Sequence, residues 1–174
     1  MGNIEIINDE LFRIGKYEFI KFIDENGNII GVLKDNLCNM EFGNNNNFSK
    51  SDILNKLNNE FLSEIENIVG SENLIEFETD LISLDGSKKH GTMKSKVSIP
   101  TFDFYRKNRA TFAKYNLNDW WWLVTPHTTS EFVNDYWVVC VSPHGDVYRN
   151  YYCGSLGVRP FLTFISTIFD SLVK

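Results

Sequence analysis

The sequence is poor in cysteine, in proline and in long apolar runs. It has three cysteines and four prolines in 174 residues. Its longest apolar run, residues 160–169, is about half as long as the roughly 20 residues that a membrane-spanning helix needs. Arg159 and Asp170 bound this run closely. We therefore predict a buried strand at 160–169 and expect no membrane partner.

The N-terminus carries no signal for export. Residues 1–5 contain neither the basic nor the apolar segment of a secretory signal peptide. The cysteines Cys38, Cys140 and Cys153 are odd in number and widely spaced, as is typical of free, buried thiols in a reducing compartment. These features favour a cytoplasmic location.

The sequence also lacks an excess of positive charge. With 17 Lys and Arg against 23 Asp and Glu, the formal net charge is -6. The densest basic group, at residues 88–96, falls in a segment with Gly and Ser that is typical of a solvated loop. Because duplex binding needs clustered Lys and Arg, we expect no nucleic-acid partner.

No recognisable catalytic, metal or phosphate motif is present. His90, His127 and His144 all fall in predicted loops, outside any nucleophile motif. Neither C-x-x-C nor H-x-x-x-H spacing occurs, and there is no phosphate-binding Gly-rich loop. We predict no catalytic residue, no metal and no cofactor. Paired carboxylates of the glycosidase type stay open, since the 23 acidic residues allow many pairs and the sequence selects none.

Local patterns in the first half predict a hairpin and a helix. Residues 17–23 and 29–33 are rich in β-formers and flank an Asn-Gly pair, whose residues both accept positive φ. Apolar residues then recur at helical spacing over 51–69, with Ser49 or Ser51 as the cap and Gly70 as the stop. Residues 74–84 are expected to be extended.

The second half is predicted to be mainly β-structure. Residues 86–96 indicate a flexible loop, and Thr101 caps a second helix over 102–114. The residues after Trp120 indicate short strands, including a hairpin of 138–142 with 146–151 that places Cys140 opposite about residue 149. The predicted fold class is α+β: a mostly antiparallel C-terminal sheet with two helices, plus an N-terminal β-hairpin. We divide the chain at 1–48 and 49–174, within one compact unit overall.

Aromatic residues cluster in the C-terminal strands, and two interpretations stay open. Alternation along a strand sends some of them outward, so they form either a binding surface or an ordinary half-exposed sheet. Tyr, Trp, Arg and Asn supply rigid contact area and adaptable hydrogen bonds at binding surfaces. The predicted ligand-binding residues are His127, Tyr136, Tyr148, Arg149, Tyr151 and Tyr152, with Trp137 and Asn150 in the same aromatic segment.

Two motifs carry a family resemblance. Residues 121–126 read W-W-L-V-T-P and residues 157–161 read G-V-R-P-F, with a Gly-containing hairpin between them. Together with residues 97–106, they resemble an uncharacterised bacterial and phage domain family over about residues 75–165. That family in turn is similar to the C-type-lectin-like fold of formylglycine-generating enzymes and phage tropism determinants.

The resemblance implies a core and a display segment. It implies ligand binding by residues 127–152. The implied core residues are Trp122, Leu123, Gly157, Val158 and Arg159. Because an unpaired buried charge is costly, the Arg159 guanidinium must be hydrogen-bonded.

The sequence departs from the family pattern at several positions. Val124 stands where Arg is usual and Phe161 where Ala is usual, and the calcium–sugar signature of lectins is absent. Cys140 and Cys153 lie in the right third for the active-site pair of formylglycine-generating enzymes, but their surroundings do not match.

Taken together, these observations favour a non-enzymatic ligand-recognition or structural module of phage or prophage origin, cytoplasmic or associated with the phage particle. Its expected partner is a cell-surface receptor, a glycan or a protein, or copies of itself in a homo-oligomer. The alternative is an enzyme, either a cysteine-dependent oxidase or a glycan hydrolase.

Overall fold

Three sheets and several short helices make up the structure, a computed structural model that describes residues 4–129 and 135–170. The combination of helices with mostly antiparallel strands confirms the predicted α+β class. The described strands, numbered in chain order, are β1 (Ile4–Asn8), β2 (Leu11–Ile14), β3 (Tyr17–Ile23), β4 (Ile29–Leu33), β5 (Cys38–Met40), β6 (Leu74–Ile75), β7 (Phe77–Asp80), β8 (Thr92–Ser95), β9 (Val97–Ser98), β10 (Trp121–Pro126), β11 (Trp137–Val141), β12 (Val147–Tyr151), β13 (Leu156–Val158) and β14 (Phe161–Phe164).

The first sheet begins with an antiparallel meander of β1 to β4. The predicted hairpin is β3–β4, but its turn is longer than two residues. The Asp24 carboxylate accepts hydrogen bonds from the backbone N–H groups of Asn26 and Asn28, both at 2.8 Å. In this turn Gly27 has a positive φ of 81°, while Asn26 does not. The β1–β2 hairpin was missed, because its turn is held by the Asn8 side chain and contains no glycine.

The same sheet is completed from the C-terminal end of the chain. Strand β14 pairs antiparallel with β4, and also with β6 and β9. The predicted buried strand at 160–169 is therefore correct only for its first half, and a short helix, α5 (Thr167–Asp170), follows. The division of the chain after residue 48 stays a prediction.

The second sheet has the strand order β12-β11-β10-β13-β5. Strands β10 and β13 run parallel and meet at Trp121 and Gly157, while the other neighbours are antiparallel. The predicted hairpin is β11–β12, but Cys140 pairs with Tyr148, one residue from the predicted position. A third, two-stranded sheet pairs β7 with β8, so residues 92–95 form a strand where a loop was expected.

The first predicted helix is continuous but not uniformly α-helical. It consists of α1 (Asp52–Lys56), a π-helical segment (Leu57–Phe61) and α2 (Leu62–Val69). The Ser51 hydroxyl accepts from the Leu54 N–H at 3.0 Å, and Gly70 ends the helix with φ 87°, both as predicted. Short 3₁₀ segments at Phe48–Lys50 and Ser71–Asn73 flank it.

The second predicted helix is interrupted at Asn108. It forms α3 (Phe102–Lys107), capped by Thr101 as predicted, and α4 (Arg109–Lys114). The Asn108 side chain donates to the Phe104 carbonyl at 2.9 Å, and its backbone departs from helical angles. Local side-chain hydrogen bonds of Asn compete with the helical ladder in this way.

Two hydrophobic cores lie on opposite faces of the second sheet. Trp122 and Val138 belong to the larger core, which includes the buried face of α1 and α2. Trp121 and Val139 belong to the smaller one, beside α3 and α4. Adjacent residues of a strand point to opposite faces, so β10 and β11 each supply both cores. No helix among the described residues is long and apolar enough to cross a membrane.

Candidate functional site

The two sequence motifs lie in the core, not at a surface site. Trp122, Leu123 and Val158 are fully buried, as the resemblance implied. A Cβ atom at Gly157 would lie 2.0 Å from the Asn36 amide nitrogen, so any larger residue would require the Asn36 side chain to move. The motifs therefore explain why β10 and β13 pair, and the ligand site has to be sought elsewhere.

Arg159 is a buried cation with hydrogen-bonded and aromatic partners. Its side chain donates to the carbonyls of Leu33 at 2.9 Å and Lys34 at 2.7 Å. The guanidinium carbon also lies 4.7 Å from the Trp121 ring centroid. Burial lowers the pKa of Arg159 to about 10, so it stays charged at neutral pH. This confirms that its guanidinium is hydrogen-bonded, and its role is structural.

The predicted binding residues lie on the β11–β12 hairpin and beside it. Strand β12 ends the second sheet and is exposed along most of its length, whereas β11 is almost entirely buried. Trp137 and Tyr151 pair across the hairpin with ring centroids 3.9 Å apart, and the Arg149 guanidinium lies 4.6 Å from the Trp137 centroid. The result is a stack in which exposed Tyr151 and Arg149 cover the half-buried Trp137 ring.

We define the edge aromatic patch as His127, Tyr136, Trp137, Arg149 and Tyr151. Tyr136 is 41% exposed and its ring centroid lies 6.2 Å from that of Tyr151. The backbone N–H of His127 donates to the Trp137 carbonyl at 3.0 Å. An Arg149 guanidinium nitrogen lies 3.4 Å from the ring nitrogen Nδ1 of His127. Arginine is always a donor, so this contact requires an unprotonated Nδ1.

Two predicted residues lie outside this patch. Tyr148 alternates with Arg149 and Tyr151 along β12, so its side chain is on the opposite face, where its ring centroid lies 5.3 Å from that of Trp120. Tyr152 is half-buried against the larger core. The structure therefore brings together four of the six predicted residues and places Tyr148 on the other face. The half-buried Tyr152 ring borders the patch, with its centroid 5.8 Å from that of Tyr136.

A buried amide that the sequence did not single out supports the patch from below. The Asn46 side chain donates to the carbonyls of Thr128 at 2.8 Å and Trp137 at 3.2 Å. Its oxygen lies 3.0 Å from His90 Nε2. Asn46 belongs to a run of four asparagines predicted to be a polar loop, and nothing local distinguishes it from its neighbours.

An open groove lies elsewhere on the protein. It has a volume of about 720 Å³ and runs between the first helix and β8. Lys50 and Lys94 line it together with Asp52 and Glu76, so its charges are mixed. Amide and hydroxyl side chains supply much of the remaining lining, and this groove selects no ligand class.

The cysteines do not form a reactive pair. All three are free: Cys140 is buried, Cys38 half-buried and Cys153 exposed, which corrects the expectation that all would be buried. Burial raises the pKa of the Cys140 thiol to about 12, which suppresses the nucleophilic thiolate. In residues 4–129 and 135–170, no three His, Cys, Asp or Glu side chains converge as a metal site would require.

The ionisation of His127 is a first test of the patch geometry. Burial lowers the pKa of His127, the nearby Arg149 cation lowers it further, and Asp85 opposes both effects. We expect an NMR titration to place this pKa below that of an unfolded histidine. Arg149→Gln should raise it, while Arg106→Gln on the exposed face of α3 should not. An unchanged pKa in Arg149→Gln would contradict the contact.

The lowered pKa of His127 also determines how its contribution to stability changes with pH. The folded state binds this proton more weakly than the unfolded chain, so the unfolded state takes up more protons as the pH falls. The contribution of His127 is therefore present above the unfolded pKa and is lost as the pH falls through the folded pKa. Burial lowers the pKa of His90 as well, with the same sign.

A family model matches residues 76–166, slightly more than half of the chain. The chain therefore belongs to the family described as a domain of unknown function, DUF6273. No curated protein matches the chain, and no solved structure matches it. The matched range contains both motifs, the β11–β12 hairpin and the whole edge aromatic patch.

Proposed function

We propose that this protein is a non-enzymatic ligand-recognition module whose ligand binds at the edge aromatic patch. One observation carries the proposal: the exposed Tyr151 ring and the exposed Arg149 guanidinium both pack on the half-buried Trp137 ring, on a strand pair whose inner member is otherwise buried. Stacked rings and a guanidinium held in place lose little conformational freedom on binding.

The chemistry of the patch favours a cell-surface ligand that has both apolar and acceptor groups. The rings of Tyr136 and Tyr151 offer contact area for the apolar face of a sugar or for a peptide side chain. Arg149 offers guanidinium donors to a carboxylate or a hydroxyl group. A glycan or protein receptor meets both requirements.

We also propose a C-type-lectin-like architecture and a phage or prophage origin. Support for the architecture comes from β10, which carries the W-L motif, and β13, which carries the first two residues of G-V-R. The two strands pair directly; β10 contributes to both cores and β13 to the larger one. The segment between them includes the edge aromatic patch. The cysteine-dependent alternative draws no support from Cys140, whose thiol is buried and protonated.

Two tyrosines on one strand provide a matched test. Tyr151 belongs to the edge aromatic patch, whereas Tyr148 is on the opposite face of the same strand and is similarly exposed, at 53% against 45%. We expect Tyr151→Ala and Arg149→Ala to weaken binding by at least about tenfold, as for interface hot spots, while Tyr148→Ala leaves the monomer's affinity nearly unchanged.

The measurement has two stages. Fluorescently labelled protein is first applied to a glycan array and to a panel of bacterial cell envelopes. Affinities of the variants are then measured on the strongest ligand in soluble, monovalent form, after circular dichroism has shown that each variant is folded. Equal losses in Tyr148→Ala and Tyr151→Ala would place the ligand elsewhere, and full binding by Tyr151→Ala together with Arg149→Ala would overturn the proposal.

A further inference from the structure

Along β12, the backbone N–H and C=O groups of alternate residues point toward β11 and away from the sheet. The Ser142 N–H donates to the Asp146 carbonyl at 2.9 Å, and the Tyr152 N–H donates to the Tyr136 carbonyl at 2.9 Å. Antiparallel ladders alternate every second residue, so residues 148 and 150 also direct their backbone groups toward β11. The N–H and C=O groups of residues 147, 149 and 151 therefore point away from the sheet.

The outward groups at Tyr151 are already satisfied. Its N–H donates to Asn150 Oδ1 at 2.8 Å, and its carbonyl accepts from the Gly154 N–H at 2.8 Å. For Val147 and Arg149, no backbone partner on this outer edge lies among the described residues. Two donors and two acceptors, spaced as in an extended strand, are left along this edge.

We infer that a second copy of this chain pairs with this edge, β12 against β12, antiparallel and centred on Tyr148. In that register Val147 of one copy exchanges hydrogen bonds with Arg149 of the other, and the reverse pair does the same. In each copy, the N–H and C=O groups of Val147 and Arg149 are then all hydrogen-bonded, and no further partner is needed. The interface is isologous, with a two-fold axis through Tyr148.

The side chains in this register are compatible with self-pairing. Tyr148 stands opposite its own copy, and each already packs against Trp120, so four aromatic rings line the axis. Asp146 stands opposite Asn150, and Val147 stands opposite Arg149. No like charges face each other directly. Tyr148, the most exposed aromatic side chain of this strand, becomes covered.

The dimer would bring two ligand sites together. Arg149 and Tyr151 project from one face of β12, so pairing places both copies of the edge aromatic patch on one face of a continuous sheet. Because edge pairing covers little surface, the association is weak, and two linked sites then gain avidity for a multivalent surface.

Cysteine crosslinking tests the register directly. Opposite residues in a non-hydrogen-bonded antiparallel pair have Cα atoms about 4.5 Å apart, within the roughly 4.4–6.8 Å that a disulfide spans. In a Cys153→Ser background, which removes the exposed thiol, we expect Tyr148→Cys to form a disulfide-linked dimer on mild oxidation. Arg149→Cys, which faces Val147 instead, should crosslink several-fold less. Equal crosslinking, or none with Tyr148→Cys, overturns the inference.

A second variant removes an outward donor without touching the inner ladder. Proline is tolerated at an edge strand where its nitrogen faces away from the sheet. We expect sedimentation velocity to show a concentration-dependent dimer. Val147→Pro should abolish both this dimer and Tyr148→Cys crosslinking, whereas Val147→Ala should retain both. The inference would be overturned if the protein remained monomeric at millimolar concentration. It would also be overturned if an added extended peptide, but no second copy of the chain, paired with this edge. Ligand binding by single patches would be unaffected by that result.

Discussion

Arg159→Ala is expected to lower the free energy of unfolding by about 3–5 kcal/mol. The change leaves the carbonyls of Leu33 and Lys34 without their donors in a site where Arg159 is only 1% exposed. It also opens a cavity against the rings of Trp121 and Phe112, which the guanidinium contacts. Urea unfolding followed by tryptophan fluorescence measures the loss.

Two further substitutions separate the loss of hydrogen bonds from the loss of packing volume. Arg159→Met restores most of the volume but no donor, so its cost should be smaller, about 1–3 kcal/mol. Arg159→Lys retains the charge, but an ammonium cannot reproduce the planar fork that reaches both carbonyls. We expect an intermediate loss for it. If Arg159→Met were as stable as the parent, the two carbonyls would have found other donors and the hydrogen-bond argument would fail.

Trp122→Ala should have a similar effect, about 3–5 kcal/mol, because a large, fully buried side chain is removed. Its ring packs against Phe42, with centroids 5.6 Å apart, and Nε1 donates to the Met40 carbonyl at 3.0 Å. The loss would therefore loosen both the larger core and the attachment of β5. Thermal and urea unfolding measure it.

Trp121 provides a matched control for the hydrogen bond. It is adjacent on β10 and also buried, but its Nε1 has no hydrogen-bond partner among the described residues. Trp121→Phe and Trp122→Phe remove the same atoms, and only the second breaks a hydrogen bond. We expect Trp122→Phe to be less stable than Trp121→Phe by about 1 kcal/mol. The opposite order would show that ring contacts, such as that of Trp121 with Arg159, outweigh the Met40 bond.

These stability variants and the surface variants examine separate properties. Arg159 and Trp122 lie in the cores, and their loss should lower stability without changing which ligand the folded protein binds. Tyr151 and Tyr148 lie on opposite faces of an edge strand, where substitutions should change binding or self-association with little effect on stability. A surface variant that changes stability, ligand binding and self-association together would indicate that the edge strand had rearranged.

Local chemistry was sufficient to predict several elements from the sequence alone. Ser51 and Thr101 cap helices, and Gly70 ends one, because each depends on groups a few residues away. Alternation along one strand likewise sends Trp121 and Trp122 into different cores. Arg159 follows the same logic, since a charge in an apolar motif has to find hydrogen-bond partners wherever it is buried.

Only the tertiary structure decided which strands meet and which stay open. The pairing of β4 with β14 and of β10 with β13 joins residues far apart in sequence, and period-2 patterns do not encode such partners. The same applies to Asn46, which supports Trp137 from a distant loop. Alternation along β12 already places Tyr148 on the face opposite Arg149 and Tyr151, but only the position of β12 at the end of its sheet leaves all three exposed. Strand order depends on how the whole chain covers its apolar surfaces, and this is a global property of packing.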